Sequence, residues 1–417
     1  MLLESSGTLD KPITLQAAPG HEGKVIVDGQ GTNTLFFIGD RDYIVIQNLH
    51  IINAYSQAIG SRGKSARIYD DANSSIGVHI LNNYIFNTNS NTAGANIAAI
   101  RLDHSKDWVI RNNTIDRITQ NGILAKANHT SGIQAYEYNN ILIENNKITN
   151  VSSGILWKDH NVISDDGSGS IIYHNGSEIR FNIIAEASNA ISLITNRSGG
   201  DEAANHFVHH NIFYNISTAG IHINMSDSLF SSTNFRIEHN IFDNVSLGVT
   251  NDSFKQSSFL GNIFVNCLKS CIDFKDETDI DAQLVASDYN VFDNTFKVSI
   301  DRYGISQRSF KTLTDWQAAK TIDFVALSFD FPDSNSIISS ADLLFMDSVN
   351  RDYHYKNTSP AKSLLADASN AGPYQLGTEL IGLLPDYPSY DVPIKNNLSD
   401  NIKYRRSSII WLLLKNE

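Results

Sequence analysis

The stretch Trp108-Val-Ile-Arg-Asn-Asn-Thr-Ile, residues 108–115, holds the unit from which most of this chain is built. A few residues alternate between apolar and other side chains; then come Asn113, one variable residue and an aliphatic one. The pattern recurs at Asn83-Tyr-Ile, Asn146-Lys-Ile, Asn182-Ile-Ile, Asn211-Ile-Phe, Asn240-Ile-Phe, Asn262-Ile-Phe and Asn290-Val-Phe, with Asn48-Leu-His-Ile as a looser first copy. Successive copies lie between 22 residues (Asn240 to Asn262) and 36 residues (Asn146 to Asn182) apart. The period varies while the unit does not.

Gly77-Val-His-Ile-Leu, Trp108-Val-Ile-Arg and Ile141-Leu-Ile-Glu alternate with a period of two, and none of them sustains helical spacing. Strands this short cannot bury an apolar face alone, but coils stacked on one another build a continuous core of aliphatic rows. The expected fold is therefore an all-β solenoid. The recurring asparagine fits its turns, because the amide can bond the backbone of its own coil and the asparagine above, and asparagine tolerates left-handed backbone angles.

Composition narrows the function. Charged residues make up 18% of the 417 and hydrophobic ones 41%, which describes a folded chain. A formal net charge of −13 argues against a nucleic-acid binder, and an anionic substrate would need a locally positive groove or a bridging cation. Cys267 and Cys271 are the two cysteines; they read as packed thiols, a local disulfide, or a reactive or metal-binding pair. Met1-Leu2-Leu3 is followed at once by Glu4 and Ser5, so no secretory leader is read at the start, and a leader or capping segment is expected to have been lost or to lie outside the chain. The apolar run Ile409–Leu414 is far shorter than the roughly 20 residues of a membrane helix, so no membrane partner is expected. Phosphate-loop, nucleophile-elbow and paired-cysteine zinc patterns are absent. His209 and His210 fall on the strand before Asn211 and read as structural.

Together with these units, the opening Gly7-Thr-Leu-Asp-Lys-Pro-Ile-Thr-Leu-Gln-Ala-Ala-Pro-Gly, Val27-Asp-Gly and Tyr43-Ile-Val-Ile-Gln-Asn-Leu resemble proteins of the pectate-lyase-like superfamily over about Gly7 to Asn290. The resemblance implies a single-stranded right-handed parallel β-helix that is carbohydrate-active and secreted or periplasmic, most often a lyase on uronate polysaccharides. It also implies a lysine or arginine base and calcium held by acidic side chains. Residues 1–295 are expected to form the coils, 296–390 irregular C-terminal coils and a capping segment with a short helix inside Ser309–Lys320, and 391–417 a tail. A monomer is expected.

The coils also serve as a ruler. Aligning the small residue that starts each second strand (Ala99, Gly122, Gly154, Ala190, Gly220, Gly248, Cys271) places Asp103, Lys126 and Lys158 four residues on, on neighbouring coils about 4.8 Å apart. His104, Asp159, His160, His129 and Arg197 extend this patch. Glu137 and His174, in apparent insertions at Ser131–Glu137 and Gly169–His174, are expected to stack as well. Gly154-Ile-Leu-Trp-Lys-Asp-His-Asn, residues 154–161, crowds ionisable groups where other coils are neutral, which suggests the wall of a groove; the plainer reading is a set of solvated turn residues.

Three functions fit such a groove. In β-elimination at a uronic acid, Lys158 is the first candidate base and Lys126 the second, with Arg101 or Arg197 on the carboxylate and His160 or Tyr136 returning a proton. Glu137, Asp159 and Asp165 are candidate calcium ligands, and Asp103, His129 and His174 complete the substrate-binding candidates. A glycoside hydrolase would instead pair Glu137 or Asp103 with Asp159. A glycan-binding protein without catalysis would use Trp157, Tyr136, Tyr138 and Tyr173 to stack on sugars, although alternation can equally turn Trp157 inward. The leading expectation is a polysaccharide lyase.

Overall fold

The computed structural model describes residues 3–382 except 33, 62–73, 91–95, 121–129, 160–173, 196–202, 226–232, 253–256, 275–283, 303–305, 320, 323–324 and 327–332. Among them, eleven strands form one sheet and nineteen another, and coil follows coil in parallel register. In the first sheet Ile46, Ile80, Ile110, Ile143, Ile179, Val208 and Ile237 lie one above the next, all fully buried. The second sheet bends and contributes two more inward rows. One runs Ile85, Ile115, Ile148, Ile184, Phe213, Phe242, Phe264 and Phe292. The other runs Ile59, Ile100, Ile133, Ile155, Ile191, Ile221, Val249 and Ile272. Three rows facing one axis make the parallel β-helix, and the right-handed course is the one a twisted strand and crossover favour. Late in the cylinder phenylalanine replaces isoleucine in one row, and the rings stack, Phe242 on Phe264 at 4.6 Å and Phe264 on Phe292 at 5.3 Å.

Asparagine sets the register at one corner. Asn83, Asn113, Asn146, Asn182, Asn211, Asn240, Asn262 and Asn290 are fully buried, and each of the first seven donates both backbone N–H and Nδ2 to Oδ1 of the next, as Asn182 does to Asn211 at 2.9 and 3.0 Å. Nδ2 also reaches carbonyls of the preceding strands, Ile143 and Arg180 in that case. The column ends on buried Asp333, which accepts from Asn290, Ser336, Ser287 and Trp316. The left-handed angle belongs not to the ladder residue, as expected, but to its predecessor: Asn82, Asn112 and Asn145 early, then Phe181, His210 and His239, with φ between 54° and 58°. His209 and His210 are part of this corner packing, His210 stacked on His239 at 4.9 Å, and burial lowers both to about 3. Cys267 and Cys271 are buried free thiols, and burial raises the Cys267 thiol above its ordinary value.

One coil is registered differently from the ruler. Ala98 and Ile100 pair with Ser131 and Ile133, which pair in turn with Ser153 and Ile155. Gly132, not Gly122, is therefore the equivalent of Ala99 and Gly154. The segment read as an insertion, Ser131–Glu137, is the strand itself, and Tyr136 takes the place in the row that the ruler gave to Lys126. Gly132 has to lack a side chain, since a Cβ there would meet Ile148 Cγ2 at 2.6 Å and the Gly154 carbonyl at 2.7 Å.

The C-terminal region does two jobs. Phe296, Phe310, Leu313 and Trp316 join the main core at the far end of the cylinder, and the helix expected there is Leu313–Gln317, capped by Thr312 accepting from the Asp315 N–H. Residues 341–382 instead run back along the outside. Leu344, Phe345, Tyr353, Tyr355, Ala371 and Ile381 pack on Ile212, Ile241, Ile263 and Val291, the variable residues of the repeated unit. Gly372 N–H donates to the Gly261 carbonyl and Gly382 N–H to that of Phe181. Tyr353 Oη and Arg351 hold Asp243 at 2.7 and 3.1 Å, which fixes the strap. The variable residue is Tyr84, Thr114 or Lys147 in coils ahead of the strap and aliphatic beneath it.

Replacing Asn182 by alanine strands buried partners on both sides of the ladder and is expected to cost about 3 kcal/mol or more. Asn244→Gly, which removes one exposed bond to Asn215 and keeps the left-handed angle, is expected to cost less than about 1 kcal/mol. Urea unfolding of both variants measures the difference; equal losses would show that the ladder has no special role.

Candidate functional site

Alternation along Ile97–Lys106, Thr130–Asn139 and Lys147–Asp159 turns Leu102, Ala135 and Trp157 into the core and the residues between them outward. Asp103, Tyr136 and Lys158 thereby occupy one outward row on successive coils, and Arg101, Gln134 and Leu156 the row beside it. These side chains face away from the core yet are nearly buried, Lys158 at 7%, Asp103 at 7% and Tyr136 at 3% exposed. A lysine withdrawn from water in this way differs from the solvated turn residue of the plainer reading.

The cluster is held by directed contacts. Asp103 accepts from Arg101 Nε at 3.0 and 3.1 Å and pairs with Nη2 at 2.9 Å, so its carboxylate is gripped along one edge. The Asp103 backbone is fixed in turn, its N–H donating to Ser61 Oγ at 3.0 Å. The Arg101 guanidinium lies over the Tyr136 ring, 4.9 Å from its centre. Gln134 Nε2 donates to Tyr136 Oη at 3.2 Å, and Lys158 Nζ to Asn96 Oδ1 at 3.2 Å. Burial, and secondly the positive charge of Arg101, hold the Lys158 ammonium below the ordinary lysine range. Both push toward the neutral amine, which is the basic form.

Of the residues singled out from the sequence, the structure brings Arg101, Asp103, Tyr136 and Lys158 together. Lys126, His129, His160, Asp165, Arg197 and Tyr173 lie outside the described residues. Glu137 and Asp159 each follow a member of the Tyr136–Lys158 pair, so their backbones are one coil apart. The His174 backbone pairs with Ala203 in the other sheet. Trp157 and Tyr138 point inward, 0% and 1% exposed and stacked at 5.5 Å, and offer no platform for sugars. Among the described residues no group of three His, Cys, Asp or Glu gathers as a metal set. Asp103, the described carboxylate of the cluster, is gripped by Arg101, and the side chains of the candidate calcium ligands Glu137, Asp159 and Asp165 lie outside the described residues.

Sequence reasoning missed Gln134, Asn96 and Ser61. Gly122-Ile-Leu-Ala-Lys and Gly132-Ile-Gln-Ala-Tyr carry the same pattern ten residues apart, and choosing the second would have revealed Gln134 and set Tyr136 beside Lys158. Asn96 and Ser61 precede or end strands and had no signal.

No family model and no curated protein sequence matches the chain. Among solved structures it is similar to a hyperthermoactive exopolygalacturonase from Thermotoga maritima, at 14% identity over 66% of this chain and 56% of that one, with a TM-score of 0.33. It is similar to XylC in complex with xylose at 12% identity, over 73% of this chain and 46% of that one, with a TM-score of 0.34. It is also similar to the PL6 family polysaccharide lyase Pedsa3628 from Pseudopedobacter saltans at 11% identity, over 86% and 89%, with a TM-score of 0.32. The chain thus spans about half the length of the first two. Likenesses this distant do not identify an activity, and the fold rests on the strand register itself.

Titration of Lys158 by carbon-13 NMR of its ε-carbon is expected to show a midpoint below that of exposed lysines. Between the lowered and the ordinary value the folded chain holds fewer protons at this site than the unfolded chain, so this group makes stability rise with pH across that window. Asp103→Asn, which removes the counter-charge of Arg101, should lower the midpoint further. A midpoint in the ordinary lysine range would overturn the assignment of a desolvated amine.

Proposed function

We propose that the chain is a polysaccharide lyase that cleaves a uronate-containing polysaccharide by β-elimination, with Lys158 as the base. The observation that carries this reading is the withdrawn Lys158 amine beside Arg101, one coil from the Tyr136 phenol. In such a reaction the neutral amine takes the proton next to the carboxylate, the bond to the leaving oxygen breaks, a carbon–carbon double bond forms, and the departing oxygen accepts a proton. Arg101 supplies positive charge where negative charge develops on the carboxylate. Tyr136, oriented by Gln134, is the proton donor to the leaving oxygen. Asp103 holds Arg101 in place and is not itself an acid or base. No step uses a metal.

A hydrolase pairing Asp103 with Asp159 is disfavoured because the Asp103 carboxylate is already engaged by Arg101 Nε and Nη2. The second reading is a hydrolase that pairs Glu137 with Asp159, whose backbones lie on adjacent coils.

Incubation with uronate polysaccharides is expected to raise ultraviolet absorbance from the conjugated product, and Lys158→Ala to lower kcat by about a thousandfold. The pH profile of kcat/KM should rise with unit slope and level off below the ordinary lysine range, because the amine must lose its proton. Lys158→Arg, which keeps the charge but not a titratable base, should not restore turnover. Reducing ends released without absorbance would favour the hydrolase. Binding without turnover in the wild type would favour a glycan-binding protein.

A further inference from the structure

We infer that Lys158 and Tyr136 act on one face of the sugar ring, so that the substrate is a uronate whose C5 hydrogen and C4 oxygen are cis. Glucuronate and mannuronate have this arrangement; in galacturonate, guluronate and iduronate the two are trans. The inference rests on the lyase reading and names its substrate class.

The elimination breaks C5–H and C4–O, and a base serves the first bond while an acid serves the second. Where the two bonds leave from opposite faces of the ring, base and acid must stand on opposite sides of the sugar. Register places Lys158 and Tyr136 otherwise. They are direct partners on adjacent parallel strands, about 4.8 Å apart. Both point outward from one sheet, because their neighbours Ala135 and Trp157, themselves partners, point into the core. A sugar lying against this sheet meets both groups from the same side.

Neither side chain can swing to the far side of a ring. Tyr136 Oη accepts from Gln134 Nε2, its ring lies under the Arg101 guanidinium, and Lys158 Nζ donates to Asn96. With C5–H and C4–O turned toward the sheet, the carboxylate on C5 projects sideways, and Arg101 stands in the row beside. In a trans uronate the C4 oxygen would point away from Tyr136. In the cis case Lys158 takes the C5 proton, and the electron pair left behind forms the C4–C5 double bond. The C4–O pair departs on oxygen, which takes the Tyr136 proton. The ammonium then releases a proton to water and the phenolate regains one, so the step consumes no co-reactant.

The test uses two pairs of polymers that differ at C5: polymannuronate against polyguluronate, and chondroitin against desulfated dermatan, with polygalacturonate as a further trans polymer. The wild type is expected to show kcat/KM at least about tenfold higher on the cis member of any pair it cleaves, since misplacing a reacting group costs that much or more. Tyr136→Phe, which keeps a ring under Arg101, should lower kcat on the cis polymer by about a hundredfold. It should lose much less on a glucuronate carrying 4-nitrophenoxide at C4, whose departure needs no proton; a merely structural loss would be equal on both. A trans polymer cleaved as fast or faster, or cleaved alone, overturns the inference and leaves the lyase reading standing, as does an equal loss in Tyr136→Phe on both substrates. If none of the five polymers gives an unsaturated product, the lyase reading falls and the inference falls with it.

Discussion

The asparagine column is the constraint on which the remaining geometry depends. Parallel strands of two to fourteen residues could slip against their neighbours with little loss from aliphatic contacts alone, because isoleucine packs on isoleucine in many registers. A buried carboxamide that must receive two donors from one coil while donating to the next has a single solution, and a slip would leave several buried polar groups without partners. The direction of the column is uniform, donors pointing toward the end of the chain, and it closes on a carboxylate. Asp333 accepts from four side chains around the last asparagine, so the ladder ends on an acceptor buried in the protein and not on water.

Register fixed at that corner is transmitted around the coil. Outward positions of the second sheet stand above one another only because each strand is locked in phase, and this makes a cluster of Asp103, Tyr136 and Lys158, residues separated by 33 and 22 positions in the chain. The same locking lines up the outer aliphatic row at Ile212, Ile241, Ile263 and Val291. Left bare, that row would be an apolar stripe on the surface; the strap at 341–382 covers it and is tied down where Tyr353 and Arg351 meet Asp243.

The candidate site joins two electrostatic effects that oppose each other elsewhere in proteins. Burial of a cation is costly and is normally offset by an acid; here the acid, Asp103, is committed to Arg101, and Lys158 is left with a neutral amide, Asn96, as its hydrogen-bond acceptor. The lysine therefore has reason to shed its proton, whereas the arginine keeps its own. One base and one cation side by side are the minimum that proton abstraction next to a carboxylate requires.

The sequence by itself determined the solenoid: the Asn-x-Ile/Phe unit, the alternation around it and the stacked aliphatic rows follow from strands too short to be buried singly. It also pointed to Lys158, Arg101, Asp103 and Tyr136, because ionisable residues on outward strand positions are conspicuous among neutral repeats. The strap was legible too, in the change of the variable residue from Tyr84, Thr114 and Lys147 to Ile183, Ile212 and Ile241, but its meaning needed a partner segment far along the chain. Only the tertiary structure decided between Gly122 and Gly132, since both begin the same local pattern and only the pairing of Ser131 and Ile133 with the coils on either side shows which of them stands in the row. That pairing decided which residue stands beside Lys158, because in a stacked fold a side chain's neighbours are set by the coil above and below it and not by the residues on either side in sequence.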